Sequence, residues 1–396
     1  MHFCTLNMAE KKAKKKSFLQ AQRGRVLWAH RWLGLISGLV VFIVSITGCI
    51  YVFEEELRYV FQKKYYQVST DGHTARQPLA NVSAALYKAF PDASVRQIRF
   101  DEAAGATIQY FTKDSKVISM NPYTLEVAGV RSTKTDFFYW ILDVHRHLAW
   151  GDIGSEIIKW NVLIFFILCV SGLIVWWPKQ RRFFKQAARI KFQRKNLKRL
   201  NWDLHSVLGF YALAILLLVS LTGMFWMFDW VKDGVRLATA TPAVKEAKIQ
   251  SQPMNEKTFT IEQAYEQAIA SYPKPEKVVL INAAPDEPKA ALRVLFRYPY
   301  TVVRKQSTFF YDKYNGQLLK EAPYSADTPY DKVAKANYQL HTGNIPSLGI
   351  GSKIIYFLAS LFAASLPVTG VIIWWGRGKK GNKKKVSRPV QVAAAA

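Results

Sequence analysis

Long apolar runs alternate along the chain with stretches in which apolar and polar positions follow each other closely. Four of these runs have the roughly 20 residues that an α-helix needs to cross a bilayer. They cover residues 26–53, 157–177, 204–229 and 353–375. The pattern therefore predicts a membrane protein with four transmembrane helices.

Two long segments between the spans have the pattern of small mixed α/β folds. Residues 54–140 contain the helix-like stretch QPLANVSAALYKAF, followed by the strand-like stretches SVRQIRF, ATIQYF and KVISM. Residues 230–340 repeat this order with TIEQAYEQAIASY, KVVLINA, ALRVLFRY and STFFYD. Turn residues follow each series, at Asn121-Pro122 and at Asn315-Gly316. We expect each segment to form a helix packed on a small antiparallel sheet.

The net charge of +27 over 396 residues indicates how the spans are oriented. Nearly all of the basic excess lies in residues 11–25, 179–199 and 377–388, and each of these stretches abuts an apolar run. By the positive-inside rule the three basic stretches face the cytoplasm, so both termini are expected there. The same stretches are suited to contact anionic lipid headgroups.

Two other interpretations of these basic and apolar stretches are weaker. A basic chain is also typical of nucleic-acid binders, but the charge lies beside the spans, so we expect no nucleic-acid partner. The N-terminus loosely resembles a lipoprotein signal ending at Cys49, but its apolar run is longer than that of a typical signal peptide. Cys4, Cys49 and Cys169 leave no cysteine pair in the outer segments, and no disulfide framework is expected there.

The spans repeat. The first and third match without a gap, and the second and fourth match less strictly. This pattern predicts two parallel pseudo-repeats, whose halves tend to be related by an axis along the membrane normal. The matching positions are His30 with His205, Gly34 with Gly209, Thr47 with Thr222, Gly48 with Gly223, Gly154-Ser155 with Gly351-Ser352, and Trp176-Trp177 with Trp374-Trp375.

Five of the seven histidines lie near the ends of the spans. His30 and His205 lie at the cytoplasmic ends of the first and third spans, whereas His145, His147 and His341 precede the second and fourth spans on the outer side. An ionisable residue at membrane depth is costly unless it has a partner, so it marks a functional site. We therefore expect His30 to face His205 and His145 to face His341.

Two facing neutral imidazoles, without a carboxylate or thiolate, suit the axial positions of a b-type haem, because the porphyrin supplies the other four nitrogens. A zinc site would need three or four protein ligands. Gly34 and Gly209, one turn deeper, would let a flat macrocycle approach the backbone, although they would equally serve helix packing. A single interfacial histidine is more often a headgroup contact, and His147 has no counterpart in the second half.

The sequence resembles the PepSY-associated transmembrane family, whose members include ferric-siderophore reductases of the bacterial inner membrane. The resemblance covers nearly the whole chain. It rests on HRWLGLISG in the first span, DVHRHLAWGDIG before the second, LHSVLGFYA in the third and QLHTGNIPSLGIGS before the fourth. The outer segments, which end in NPYTLEVAG and DKYNGQLLK, resemble PepSY domains, except that the first has Leu125 where a glycine usually follows the turn.

The predicted fold class is therefore a membrane α+β protein, with four transmembrane helices as two parallel pseudo-repeats and two small extracytoplasmic PepSY-like α/β domains. The predicted order is a cytoplasmic basic tail (1–25), transmembrane helix 1 (26–53), a first periplasmic PepSY-like domain (54–140), an interfacial segment with transmembrane helix 2 (141–177), a cytoplasmic basic loop (178–203), transmembrane helix 3 (204–229), a second periplasmic PepSY-like domain (230–336), an interfacial segment with transmembrane helix 4 (337–375) and a cytoplasmic basic tail (376–396).

The resemblance implies a reductase with two haem b groups that passes electrons across the bacterial inner membrane to a ferric siderophore or another Fe(III) chelate. His30 and His205 would bind the iron of a cytoplasmic-side haem, and His145 and His341 that of a periplasmic-side haem. His147 is a further candidate ligand there. Arg31 and Arg146, each next to a ligand, are candidates to pair with haem propionates, and equally to contact lipid headgroups.

The sequence contains no flavin or nicotinamide domain, so the electron donor would be a separate cytoplasmic protein or a membrane quinol. Two other functions stay open. One is a PepSY-type binding or regulatory protein without a redox cofactor, in which the matched histidines have no role. The other is an iron or siderophore transporter, which is less favoured because the spans show no pair of Pro-broken helices and few polar residues at mid-depth.

Overall fold

The computed structural model describes residues 2–378 except for 71, 73–74, 179, 192–195, 245–247, 255–258 and 283–286, and it describes side chains from residue 22 to residue 376 outside these gaps. The basic tails predicted at 1–25 and 376–396 therefore lie largely outside the described side chains, and the basic loop predicted at 178–203 lies partly outside them.

The predicted spans, outer-segment helices and strands occur in the predicted order, and the structure adds further short helices and two strands, Val127–Ser132 and Leu318–Ala322. The helices are α1 (His2–Tyr51), α2 (Glu54–Phe61), α3 (Leu79–Ala89), α4 (Phe137–His147), α5 (Gly151–Trp176), α6 (Phe184–Ala187), α7 (Leu197–Asp203), α8 (Gly209–Met227), α9 (Asp229–Ala238), α10 (Ile261–Ser271), α11 (Pro329–Thr342) and α12 (Gly349–Gly378). The strands are β1 (Val95–Asp101), β2 (Ile108–Thr112), β3 (Lys116–Met120), β4 (Val127–Ser132), β5 (Lys277–Ile281), β6 (Leu292–Arg297), β7 (Gln306–Tyr311) and β8 (Leu318–Ala322).

Within the described residues, four helical stretches are long and apolar enough to cross a membrane. They cover Gln22–Tyr51, Gly151–Trp176, Leu197–Met227 and Pro346–Gly376. Each of the four spans predicted from the sequence overlaps one of these stretches along most of its length. The second, third and fourth stretches begin six or seven residues earlier than predicted, because the residues before each apolar run are already helical. The chain thus has the helices of a multi-pass membrane protein.

The chain divides into two compact units, each of which gathers parts of several spans. Unit 1 comprises residues 1–45, 160–217 and 359–396, and unit 2 comprises residues 46–159 and 218–358. Apolar side chains such as Ile36 and Leu39 of α1 are more than two thirds exposed, as expected for helix faces that meet lipid.

Unit 2 is built on a single eight-stranded antiparallel sheet with the order β4-β3-β2-β1-β5-β6-β7-β8. The first four strands come from the first outer segment and the last four from the second. The two groups join where β1 pairs with β5, from Gln97 opposite Ile281 to Asp101 opposite Lys277. This corrects the expectation of one small sheet in each segment. Each small sheet alone would leave β1 or β5 as an unpaired edge, and pairing the two removes both edges.

One face of the sheet carries the hydrophobic core of unit 2. Helices α3 and α10 pack on this face, where Val82 and Leu86 of α3 and Ala264 and Ala268 of α10 are buried. Alternate strand residues such as Phe296 fill the core from the sheet side, which follows from the period-two geometry of a strand. The intervening strand residues, including several arginines, point to the opposite face.

The two outer segments contain the same turn before their last strand. In the first, Asn121 accepts from the backbone N–H of Leu125 (3.1 Å), and in the second Asp312 accepts from that of Gly316 (3.0 Å). Leu125 and Gly316 both have left-handed backbones, with φ of 64° and 74°. The first segment therefore keeps the turn although it lacks the glycine that this conformation favours.

Candidate functional site

Two of the predicted histidines share a cavity in unit 1. His30 lies on α1, and His205 lies in a π-helical segment, Leu204–Leu208, between α7 and α8. Such π segments occur mostly as single turns inside α-helices and often at functional sites. Both imidazoles line one cavity of about 560 Å³, a volume that falls within the range of small-molecule and cofactor sites.

Each of these imidazoles is held through Nδ1 by a hydroxyl group. His30 Nδ1 lies 2.9 Å from Ser171 Oγ, and His205 Nδ1 lies 2.8 Å from Thr369 Oγ1. Ser171 donates its hydroxyl proton to the carbonyl of Leu168, and Thr369 donates its proton to that of Ser365. The hydroxyl oxygens therefore accept from Nδ1–H, which leaves the lone pair of Nε2 free on each ring.

Two glycines of the cavity wall lie directly against these rings. A Cβ at Gly172 would lie 3.3 Å from Cε1 of His30, and one at Gly370 would lie 3.5 Å from Cε1 of His205. A Cβ at Gly38 would lie 3.3 Å from the Cβ of Pro367. These glycines keep open the space into which the two rings face.

Unpaired donors line the same cavity. Within the described part of the chain, the buried Arg31 Nε and Trp176 Nε1 have no hydrogen-bond partner. Arg199 is also in the wall, where its Nε pairs with Asp203 at 2.9 Å. Two orphaned donors beside two imidazoles match a ligand with a metal centre and anionic edges, and a haem with its propionates has this chemistry.

The other predicted pair meets in unit 2. His145 lies on α4 and His341 lies in the last turn of α11, and their ring centres are 6.3 Å apart with an angle of 75° between the planes. Two imidazoles that bind one metal at about 2 Å from each nitrogen would place their ring centres roughly 6 Å apart. The spacing therefore suits a metal ion between the two rings.

Hydroxyl groups hold this pair in the same way. His145 Nδ1 lies 3.0 Å from Thr47 Oγ1, and His341 Nδ1 lies 3.0 Å from Thr222 Oγ1. His341 Nδ1 is also 3.1 Å from the carbonyl of Val219, which can only accept, so this nitrogen carries the proton. Burial and then the neighbouring His145 lower the pKa of His341 to about 3, so its ring is neutral at physiological pH.

Asparagines further fix two of the hydroxyl residues. Asn201, four residues before His205, donates to the backbone carbonyl of Thr369 (3.0 Å). Asn337, four residues before His341, donates to that of Thr222 (3.1 Å). In both cases an asparagine and a histidine one helical turn apart contact the same hydroxyl residue. These two contacts fix the position of the histidine ring.

A buried ion-pair network seats the helix that carries His145. Asp136 caps α4 by accepting from the backbone N–H groups of Phe138 and Tyr139. Both carboxylate oxygens also accept from Arg58 at 2.8 Å, and Arg131 adds a contact at 3.2 Å. Burial alone would raise the pKa of Asp136, but the hydrogen bonds and charge of Arg58 outweigh it and lower this pKa to about 2.

The other candidate site residues, His147, Arg146 and Arg31, have different surroundings. His147 lies two residues after His145 but pairs with Asp143 on the same helix (2.8 Å). Arg146 is exposed on α4, whereas Arg31 lines the cavity of unit 1. Each histidine pair would supply two ligands, and no group of three or more His, Cys, Asp or Glu converges as a metal site among the described residues.

Sequence reasoning missed the four hydroxyl residues as partners of the histidines, although a signal for them exists. Each hydroxyl residue immediately precedes a glycine near the end of a span. The four dipeptides are Thr47-Gly48, Ser171-Gly172, Thr222-Gly223 and Thr369-Gly370. No comparable pattern in the sequence marks the ion-pair network of Asp136 or the π-helical segment.

Comparison with known proteins gives one finding about the family. A family model described as the PepSY-associated TM region matches residues 27–377. Comparison with curated proteins gives no match. The family match includes all four histidines and all four hydroxyl residues.

Proposed function

The chain belongs to the PepSY-associated TM family, and from this premise we propose that it is a haem-containing reductase that passes electrons across a bacterial inner membrane to an Fe(III) chelate. One observation carries the proposal. Four histidines form two candidate pairs: His30 and His205 line one cavity, the ring centres of His145 and His341 are 6.3 Å apart, and each Nδ1 lies within hydrogen-bond distance of a hydroxyl group. The iron of a b-type haem needs two ligands besides the nitrogens of its porphyrin, and each pair would supply two.

The residues of the chain have defined roles in this proposal. His30 and His205 would hold a haem b on the cytoplasmic side, with Arg31 and the indole N–H of Trp176 as donors to its anionic edge. His145 and His341 would hold a second haem b on the periplasmic side. A bound haem supplies reversible one-electron chemistry at its iron.

The hydrogen bonds at Nδ1 fix the tautomer and the orientation of each ring, and they raise the basicity of Nε2 toward a metal. At the outer pair the ring of His341 stays neutral over the whole physiological pH range, so it needs no deprotonation before it binds a metal.

The reaction takes one electron from a donor outside this chain, either a cytoplasmic protein or a membrane quinol, and delivers it to Fe(III) in a siderophore or a similar chelate. Fe(II) binds hard oxygen ligands less well than Fe(III), so the reduced iron leaves the chelate. The proposal includes both termini in the cytoplasm, two parallel pseudo-repeats, and PepSY-like outer segments that cover the periplasmic side.

The first test is the visible spectrum of the full-length protein, purified in detergent from haem-replete cells, before and after dithionite. We expect a Soret band that shifts on reduction. His30→Ala and His205→Ala should each remove the same haem, and His145→Ala and His341→Ala the other. His147→Ala is the matched control and should retain both haems. A protein without a Soret band would overturn the proposal in favour of a binding or regulatory role.

The second test separates a reductase from a haem protein with another role. The protein is reduced with a limiting amount of dithionite, an Fe(III) chelate is added without oxygen, and Fe(II) is trapped with a coloured chelator. Reoxidation of the haem with one Fe(II) formed per electron is expected. Haem that stays reduced in the presence of every Fe(III) chelate would show that the electrons go elsewhere.

A further inference from the structure

Three arginines gather on the sheet face opposite the hydrophobic core of unit 2. Arg99 of β1 and Arg297 of β6 alternate with the core residues Phe100 and Phe296, so both point away from the core. Arg304, in the connection between β6 and β7, reaches the same place. Arg99 is exposed and the other two are half-buried. We call Arg99, Arg297 and Arg304 the arginine face.

The arginine face has no carboxylate of its own. Among the described residues, none of its three guanidinium groups forms an ion pair. Arg99 lies over the ring of Phe111 (5.1 Å), and Arg297 Nε donates to the side-chain oxygen of Gln306 (3.1 Å). These contacts leave most of the N–H donors of both guanidinium groups available.

Arg304 is positioned by α11. Its guanidinium lies over the ring of Tyr338 (5.0 Å). With the Gln339 amide oriented so that its oxygen faces donors, that oxygen accepts from Arg304 (3.0 Å) and from the hydroxyl of Tyr300 (3.1 Å). Tyr338 and Gln339 lie within one turn of His341 on the same helix. The arginine face therefore adjoins the helix that carries a candidate haem ligand.

The acidic groups around this face already have cationic partners. Asp101, on the same sheet face, pairs with Lys277 (3.5 Å). Glu54 near Tyr338 pairs with Arg58, and Glu55 pairs with Lys353 (3.4 Å). The positive charge of the three arginines is thus not balanced within the described chain. Burial and then the charges of Arg304 and Arg99 lower the pKa of Arg297 to about 10, and the group stays protonated at neutral pH.

We propose that the arginine face binds the carboxylate groups of an anionic Fe(III) chelate and so holds the chelate beside the His341 helix. The proposal rests on the proposed reductase function and specifies its substrate class. The planar fork of a guanidinium matches a carboxylate with two parallel hydrogen bonds, and three such forks suit a ligand with several carboxylates. A cationic or neutral hydroxamate chelate would be repelled or left without this pairing.

The test measures binding rather than turnover. Equilibrium dialysis of the haem-loaded full-length protein in detergent uses radiolabelled iron as ferric citrate with excess citrate, and in parallel as cationic ferrioxamine B. We expect ferric citrate to bind more tightly. Arg297→Gln and Arg304→Gln should each weaken this binding about tenfold to a hundredfold, as expected for the loss of a charge-assisted contact.

Arg293→Gln is the matched control, because it removes an equal charge from the same strand and the same sheet face outside the cluster. It should change the affinity less than twofold. An equal loss with Arg293→Gln, or tighter binding of ferrioxamine B, would overturn the proposal. Phosphatidylglycerol in mixed micelles is the third probe. If it binds through Arg297 and Arg304 while ferric citrate does not, the face is a lipid contact and the proposal is wrong.

The outcome is independent of the haem test. The visible spectrum decides whether the protein carries haem, and dialysis decides whether the arginine face binds the anionic chelate. A protein without haem that still binds ferric citrate through Arg297 would end the reductase proposal and leave the binding site standing.

Discussion

A hydroxyl residue followed by glycine is the smallest repeated element of the proposed haem sites. It occurs near the end of every span, and each hydroxyl contacts one of the four candidate histidines. In Ser171-Gly172 and Thr369-Gly370 the glycine also leaves room for the ring beside it. The sequence repeat predicted which histidines belong together. Their hydroxyl partners follow from contacts between helices that are far apart in the chain.

Loss of one of these hydroxyl groups should weaken a haem site without emptying it. Ser171→Ala and Thr369→Ala each remove the acceptor for Nδ1–H, so we expect about tenfold to a hundredfold faster loss of haem from the cytoplasmic-side pair. Transfer of haem to apomyoglobin measures this rate. Ser206→Ala is the control, because Ser206 adjoins His205 but donates to the carbonyl of Trp202 (2.9 Å). Equal effects of Ser206→Ala and Ser171→Ala would contradict the positioning role.

The second outer turn needs glycine for two reasons. Gly316 has φ of 74°, and a Cβ there would meet the ring of Phe259. Gly316→Ala should therefore cost about 1–2 kcal/mol of the free energy of unfolding, or more if the ring cannot move. Thermal unfolding followed by circular dichroism measures the change. Gly234→Ala, in α9 with open space around the position, should be neutral or stabilising.

At the scale of elements, burial decides which strands the sequence reveals. The strands β1, β2, β3, β5, β6 and β7 correspond to predicted stretches. The edge strands β4 and β8 did not stand out, because their residues are mostly half-buried or exposed and lack a regular alternation of buried and exposed positions. A pattern based on hydrophobicity therefore finds the centre of the sheet better than its margins.

Helix α4 depends on a carboxylate that no motif marked. Asp136→Asn leaves the buried Arg58 without its charged partner, and we expect a loss of about 3 kcal/mol of the free energy of unfolding. Because α4 carries His145, the periplasmic-side haem should be lost first. Thermal unfolding and the reduced spectrum measure both effects. Asp229→Asn, an exposed first-turn aspartate of α9, should change neither.

The lowered pKa of Asp136 predicts that the protein loses stability in acid. The pKa of Asp136 in the folded protein, about 2, lies below the ordinary value of 3.8. Its stabilising effect is therefore complete above pH 4 and disappears as the pH falls toward 2. Between these values the wild type should lose more stability than Asp136→Asn does, as measured by urea unfolding at fixed pH. Parallel curves for the two proteins would show that the ion pair contributes no stability.

At the scale of the whole molecule, the sequence revealed the repeat but not how its parts join. The apolar runs and the basic stretches predict four spans and an orientation. The pairing of β1 with β5 joins residues that are far apart in the chain, and strand periodicity carries no information about such partners. Two small sheets were therefore the natural expectation, and one shared sheet is the observed result.

The orientation can be tested with reporter fusions in a bacterial host. Alkaline phosphatase fused within residues 230–340 should be active, because it would lie outside the cytoplasm, and a fusion at the C-terminus should be inactive. Green fluorescent protein at the C-terminus should fluoresce and serves as the complementary control. Active phosphatase at the C-terminus would reverse the proposed topology.

The central pairing of the sheet also constrains how the protein is made. Strand β1 is translated long before β5, so in the proposed topology it would wait as an open edge until the third span has inserted and the second outer segment has been exported. An unpaired edge of this kind can associate with other chains in the meantime. Pairing of the two outer segments would therefore be a step in biogenesis. A chain that ends after the second span would keep β1 as an unpaired edge that can associate with other chains.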